Sequence, residues 1–248
     1  MDKFYIKNWS AWAPGLISKE DWIAWSSGEK ELSILKDSPS LKHLPPIARR
    51  RLSQLTKMVL HIGHELNDGV NQLHTIFCSQ FGEITQQNTI TRGLIESGEV
   101  RPSTFSLSVF NTPVSLLSIH EKNLEASTVL LSGDQSLVSG LLSLIAELKT
   151  NSRNNVLILF ADEMLPEDYK SLYGKDFFPF AYGLMVSSKG REGMTCLEME
   201  HSSGGSVSAK QYNPLQFFKW LLSKETLLNL KGCGLQIKIT KTGNIDNS

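Results

Sequence analysis

The chain has 248 residues, of which 40% are apolar and 20% charged, so it can bury a real core as one large domain or two small ones. Its 25 Lys and Arg residues balance 25 Asp and Glu residues. A formal charge of zero gives no electrostatic reason to expect nucleic acid or an anionic membrane as partner, and it favours association over life as a lone monomer. The cysteines Cys78, Cys196 and Cys233 are far apart with no CxxC spacing, which fits a reducing compartment without a disulfide framework. The N-terminus lacks the pattern of a signal peptide, and the apolar stretch 137–148 is too short to span a bilayer. A cytoplasmic protein with no membrane insertion is the expectation.

In chain order, Phe4 to Ala13 alternates loosely and is stopped by Pro14-Gly15, which predicts a first strand. Trp9, Trp12, Trp22 and Trp25 crowd this region, either as core anchors or as a patch facing a partner. Leu44 to Asn67 reads as one helix opened by Pro45-Pro46, with Arg49-Arg50-Arg51 near its start. Leu73 to Ser79 is a short strand and Ile84 to Ser97 a helix. A loop at Arg101-Pro102-Ser103 leads to a short helix within 109–120, then a strand at Ser127 to Leu131 and a sharp turn at Gly133. Ser136 to Leu148 is apolar on nearly every side and predicts a buried helix. Asn155 to Ala161, with the unbroken apolar run Val156 to Phe160, predicts a buried strand of the parallel-sheet kind. Two strands at 180–186 and 194–199, a Gly/Ser loop at 202–208, a helix from Pro214 to Leu230 stopped at Gly232, and a last strand at 235–239 complete the reading. Alternating strands and helices imply an α/β fold with a parallel or mixed sheet and helices on its faces. No linker divides the chain, so residues 1–240 are expected to form a single domain, followed by a flexible tail at 241–248.

The informative stretch runs from Phe105-Ser106-Leu107-Ser108-Val109-Phe110-Asn111-Thr112-Pro113, through Ser127-Thr128-Val129-Leu130-Leu131-Ser132-Gly133-Asp134-Gln135-Ser136, to Ala161-Asp162-Glu163. It resembles the N-terminal half of a β-ketoacyl synthase of thiolase-like fold. The likeness is greatest to the short chain-length-factor proteins of bacterial aryl polyene and other type II polyketide-like systems. Trp9 to Gly15, Pro45 to Ser53, Phe77-Cys78-Ser79 and Gly82-Glu83 are similar to other parts of the same family, so the resemblance covers most of the chain.

Active members of that family carry a cysteine in a tight turn between a strand and a buried helix. The helix N-terminus lowers the thiol pKa, and backbone N–H groups hold the oxyanion. Here the elbow aligns with Asp134, flanked by Gly133 and Gln135, and none of these is Cys. A carboxylate is a poor nucleophile toward a thioester, so Asp134 is expected to cap the helix instead, worth ~1 kcal/mol. The resemblance also implies two catalytic His residues in a C-terminal half. The chain ends near where that half would begin, and the only His after Glu200 is His201. A half-fold of this kind is expected to leave one sheet face uncovered.

The resemblance therefore implies a chain without an enzymatic activity of its own, a chain-length factor. It would form a heterodimer with a catalytic ketosynthase and meet acyl carrier protein through that complex. Ser127, Thr128, Val129, Leu130, Leu131, Leu137 and Leu141 would lie at the seam with the partner. Val109, Phe110, Pro113, Leu116 and Leu117 would wall the end of its acyl tunnel. The alternative is a decarboxylase of malonyl carriers acting in the same complex, since Gln135 adjoins the elbow. Carriers are acidic, which makes Arg49 to Arg51 and Lys210 possible contacts. No cofactor is expected. His61 and His64, with His74 beyond, lack Cys and carboxylate ligands at supporting spacing, so no metal is expected either. Cys78, on an apolar strand, is expected to pack as a small hydrophobe; Cys196 and Cys233 have no nearby His and read as structural or incidental.

Overall fold

The computed structural model describes residues 2–67, 69, 72–100, 102–150, 154–169, 177–203, 213–243 and 245. Its strands are β1 (Asp2–Trp12), β2 (His74–Ser79), β3 (Ser127–Leu131), β4 (Asn155–Asp162), β5 (Phe180–Ser187), β6 (Thr195–Ser203), β7 (Leu227–Gly232) and β8 (Leu235–Thr242). Its helices are α1 (Lys19–Ser27), α2 (Pro46–Arg49), α3 (Gln54–Glu65), α4 (Ile84–Ser97), α5 (Pro102–Phe105), α6 (Thr112–His120), α7 (Ser136–Thr150) and α8 (Pro214–Leu222). One eight-stranded sheet has the order β3-β2-β4-β5-β1-β6-β8-β7. The pairs β2–β3 and β2–β4 are parallel, and the other neighbours are antiparallel.

Strand β4 shows why the sheet is buried on both sides at its centre. Val156, Ile158 and Phe160 point to the face covered by α7, α1 and α8, while Leu157, Leu159 and Ala161 point to the face covered by α3 and α6. Towards the far edge only one face is apolar: β7 and β8 alternate buried Leu228, Leu230, Ile237 and Ile239 with exposed Asn229, Lys231 and Lys238. The sheet thus covers its own apolar faces, contrary to the expectation of an uncovered one, because the face left open over β7 and β8 carries polar side chains. What stays open is an edge. Among the described residues nothing pairs with the outer side of β3, whose residues are half-buried or exposed.

The tryptophans are core anchors and not a partner-facing patch. Trp9, Trp12, Trp22 and Trp25 are all buried. Trp9 and Trp22 meet Phe218 of α8 edge-on at 5.5 and 5.4 Å, and Tyr182 stacks on the same ring at 4.4 Å. Helix α7 reaches the sheet through Gly140. A Cβ there would lie 2.7 Å from Cys78 Sγ and 3.0 Å from the Phe160 ring. Replacing Gly140 by Val is expected to cost about 1–3 kcal/mol through overpacking. Thermal melts of the Ala and Val variants would test this, and a Val variant melting with the wild type would disprove the close contact.

Five boundaries differ from the sequence reading. The helix expected over Leu44 to Asn67 breaks into α2 and α3, because Ser53 adopts extended geometry and its hydroxyl accepts from Thr56 N at 2.9 Å, starting a new helix. A helix, α5, occupies 102–105 where a loop was expected; Arg101 lies outside the described residues. Helix α8 stops at Leu222 and the chain turns back as β7, so 214–230 is not one helix. Strand β8 runs through Thr242, so the tail does not begin at 241. Lys241 is buried and its Nζ donates to the carbonyls of Trp220, Leu221 and Ser223 at 3.1, 2.9 and 2.5 Å, capping the C-terminus of α8. Strand β6 likewise extends over His201 and Ser202 to Ser203; most of the expected Gly/Ser loop, 204–208, and Lys210 lie outside the described residues. No helix among the described residues is long and apolar enough to cross a membrane.

Candidate functional site

Parallel pairing in register brings the carboxyl ends of β2, β3 and β4 to one end of the sheet: Ser79 lies opposite Leu131, and Cys78 opposite Phe160. Crevices at such strand ends are where α/β folds build sites. Three segments converge there. They are the turn after β2 (79–83), the turn between β3 and α7 (133–135), and the acidic pair Asp162-Glu163 that ends β4.

The first turn is held from beneath by buried acids. Asp162 Oδ1 accepts from Ser79 Oγ, Gln80 N and Phe81 N at 2.7, 2.8 and 3.1 Å, and Ser79 Oγ accepts from Gly82 N at 2.8 Å. Glu83 Oε1 accepts from Ser53 Oγ at 2.9 Å and from the Thr56 hydroxyl, tying α4 to the start of α3. Glu163 Oε1 accepts from Thr85 N at 2.9 Å. All three carboxyls are buried. Desolvation pushes Asp162 up to about 7, with its hydrogen bonds pulling the other way. It pushes Glu83 up to about 8, assisted by the charge of Glu163, and raises Glu163 as well. The arrangement is a proton-holding scaffold under the turn, with the acids facing inward. Sequence reasoning noticed these residues only within a resemblance. The available signal was a pair of acids closing an all-apolar strand.

Gly133, Asp134 and Gln135 form one 3-10 turn leading directly into α7, and Gly133 has φ +57. Asp134 is exposed and does not cap the helix as expected. Its hydrogen bond among the described residues is from Gln135 Nε2 at 3.5 Å, because the 3-10 turn satisfies the helix start with backbone instead. Gln135 is held in its turn: its Oε1 accepts from Cys233 N at 2.8 Å. Cys233 sits in the tight β7–β8 turn with φ +52, and its Sγ is 3.6 Å from Ser139 Oγ of α7. An exposed thiol therefore flanks the elbow from 98 residues away. Sequence reading missed it because nothing local links the two segments. Cys78 is buried beneath α7, and burial pushes its thiol far up. Cys196 is partly buried on β6.

The two sets of residues expected around the elbow each divide. Phe110 and Val109 are 50% and 39% exposed, and Phe105 beside them 59%. A methyl group on Gly82 would lie 3.6 Å from Phe110 Cβ and 3.0 Å from Leu131 Cδ1, so these residues adjoin the buried-acid turn. Pro113, Leu116 and Leu117 instead face inward on α6; Leu117 packs so tightly on α3 that a Cβ at Gly63 would be 2.4 Å from it. In the seam set, Ser127 and Leu131 are exposed and Thr128, Val129 and Leu130 half-buried. Leu137 and Leu141 lie in the main core, so they cannot reach a partner directly. Of the basic cluster, Arg49 Nη1 is bonded to Ser40 O at 2.7 Å, and Arg50 and Arg51 fall in the break between α2 and α3. His61, His64 and His74 do not converge. His74 is buried on β2 beside Thr128 Oγ1 at 3.2 Å.

A mixed sheet with a strand–turn–helix elbow, flanked by helices on both faces, defines a protein of thiolase-like ketosynthase fold. The family model "Beta-ketoacyl synthase, N-terminal domain" matches residues 22–236, and the chain belongs to that family. Among solved structures it is similar to a chain of "Ketosynthase (ApeO) in Complex with its Chain Length Factor (ApeC) from Xenorhabdus doucetiae", with a TM-score of 0.78, 25% identity, and coverage of 96% of this chain and 99% of that one. It is also similar to "The ishigamide ketosynthase/chain length factor", with a TM-score of 0.66, 13% identity, and coverage of 81% of this chain and 67% of that one. A third, a type II polyketide ketosynthase complex with an acyl-carrier protein (AntDE:AntF), has a TM-score of 0.65 and 11% identity over 82% of this chain and 69% of that one. At their low identities the last two show the fold alone. No curated protein matches.

Proposed function

We propose that the chain is a chain-length factor: a subunit without a condensing nucleophile that pairs with a catalytic ketosynthase through the β3 edge and closes the far end of its acyl tunnel. The observation that carries this reading is the elbow itself. Where condensation requires a thiol at the end of β3, the chain has Gly133-Asp134-Gln135. Support for pairing comes from the open edge of β3 and the exposed apolar side chains of Phe105, Val109, Phe110 and Leu131 beside it. The ApeO–ApeC structure, solved as a ketosynthase with its chain length factor, supports the same reading. Acyl carrier protein would be met through the complex, in an aryl polyene or polyketide-type elongation.

Phe110 is the wall residue best placed to act, because it is exposed while Pro113 and Leu117 are committed to the core. One methylene of misfit in an apolar pocket is worth ~1–3 kcal/mol, enough to select product length. Phe110→Ala, co-expressed with the cognate ketosynthase, is expected to lengthen or broaden the products; an unchanged profile removes Phe110 from the wall. Mass spectrometry of the chain after incubation with acyl and malonyl carriers tests the non-catalytic part. Acyl loading, on Cys233 or elsewhere, or release of carbon dioxide by the chain alone, would replace this reading with an enzymatic one.

A further inference from the structure

A cluster of ligand-type side chains lies away from the elbow, where a loop meets the ends of two helices. His43 lies in the loop before α2, His64 in the last turn of α3, and Glu121 just past α6. One ligand atom from each lies within 4.8 Å of the others. We propose that His43, His64 and Glu121 bind a divalent transition-metal cation of the Zn²⁺ class.

The chemistry suits such an ion. Two imidazoles and a carboxylate are the donors that borderline cations take, with an open position left for water. His64 Nδ1 is 2.8 Å from Glu121 Oε1, and Asn67 Nδ2 donates to the other carboxylate oxygen. With the proton on Nε2, the Nδ1 lone pair of His64 faces Glu121 Oε1, so these two donors can turn to one ion while Asn67 holds the other carboxylate oxygen. His43 stacks on His64 with ring centroids 3.9 Å apart and planes 19° apart. Nearly parallel rings cannot both direct an in-plane lone pair at one ion. Binding therefore swings His43, which is exposed in its loop, out of the stack while His64 stays in place. The bound ion would clamp the loop to α3 and α6 together. His61 sits one turn earlier on α3 but is paired with Glu65 at 3.4 Å, so it makes a control on the same helix.

The test is calorimetric titration of the purified full chain with ZnCl₂, with Co²⁺ absorption reporting the donor set. One ion per chain is expected. His43→Ala and Glu121→Gln should each weaken binding by about 10–100-fold or more, since each removes one ligand. Zn²⁺ should raise the melting temperature of the wild type and leave that of His43→Ala unmoved. His61→Ala should bind as the wild type does. Absence of binding by the wild type, binding unchanged in His43→Ala, or loss in His61→Ala equal to that in His43→Ala would each overturn the assignment.

Discussion

Replacing Glu83 by Gln is expected to abolish a loss of about 3 kcal/mol in stability that the wild type suffers between pH 4 and pH 7. The folded pKa of Glu83 is about 8, against an ordinary value of 4.5. Below 4.5 both folded and unfolded chains hold the proton. Between 4.5 and 8 the unfolded chain releases it while the folded chain keeps it, so the unfolded state binds fewer protons and stability falls as pH rises. Gln is neutral in both states and escapes that loss. Its amide oxygen still accepts from Ser53 and Thr56, so the isosteric change keeps the contacts that tie α3 to α4. Asp162, pushed up to about 7, adds to the wild-type decline in the same direction. Denaturant melts of both proteins at pH 5 and pH 8 decide the matter. Equal stability differences at the two pH values would mean that Glu83 is not the titrating group.

A carboxylate on the apolar patch should produce the other large effect. Leu131→Asp or Phe110→Asp is expected to leave the isolated fold intact, since these side chains are 44% and 50% exposed. If β3 is the pairing edge, either variant buries an uncompensated charge at the seam. That costs several kcal/mol, a loss of 100-fold or more in affinity for the ketosynthase. Leu227→Asp, at 47% exposure on the strand at the opposite edge of the sheet, is the control and should pair normally. Co-purification measures this. Wild-type recovery of the partner with Leu131→Asp would move the interface elsewhere.

What could be read from the residues was what local physics determines. The run Val156 to Phe160 is apolar in both phases of a strand, and such a segment has no stable place except inside a sheet covered on both sides, where it is found. Helix α4 matches its expected bounds at Ile84 and Ser97, and Gly98 past its end adopts φ +71. Helix α1 went unread although its signals are local: Ser18 and Asp21 form a capping box and Gly28 ends the helix left-handed. Its tryptophans drew attention as bulky apolar groups and hid the caps. The stretch after Pro214 failed for a different reason. Leu227-Leu228-Asn229-Leu230 suits helical spacing and strand alternation equally well, and pairing with β8, a tertiary matter, decides for the strand.

The site divides along the same line. The elbow is a strand, a glycine turn and a helix in sequence, so its place was legible. Its surroundings were not. Cys233 against Gln135 and Asp162 beneath Ser79 are joined across 98 and 83 residues, and nothing in either segment specifies the other. Burial has the same long-range origin. Leu137 and Leu141 are no more apolar than Leu131, yet only their helix is pressed onto the sheet at Gly140.

The unpaired margin of β3 bears on how this protein is made as well as on what it does. A strand whose outer edge meets no partner among the described residues, with greasy neighbours beside it, will accept an extended segment that reaches it, a sister copy included. Molecules synthesised in surplus over whatever normally shields that margin would adhere to one another and be lost. If a ketosynthase covers that margin as proposed, matched production of the two polypeptides, in timing and in amount, becomes a condition of keeping this one in working form.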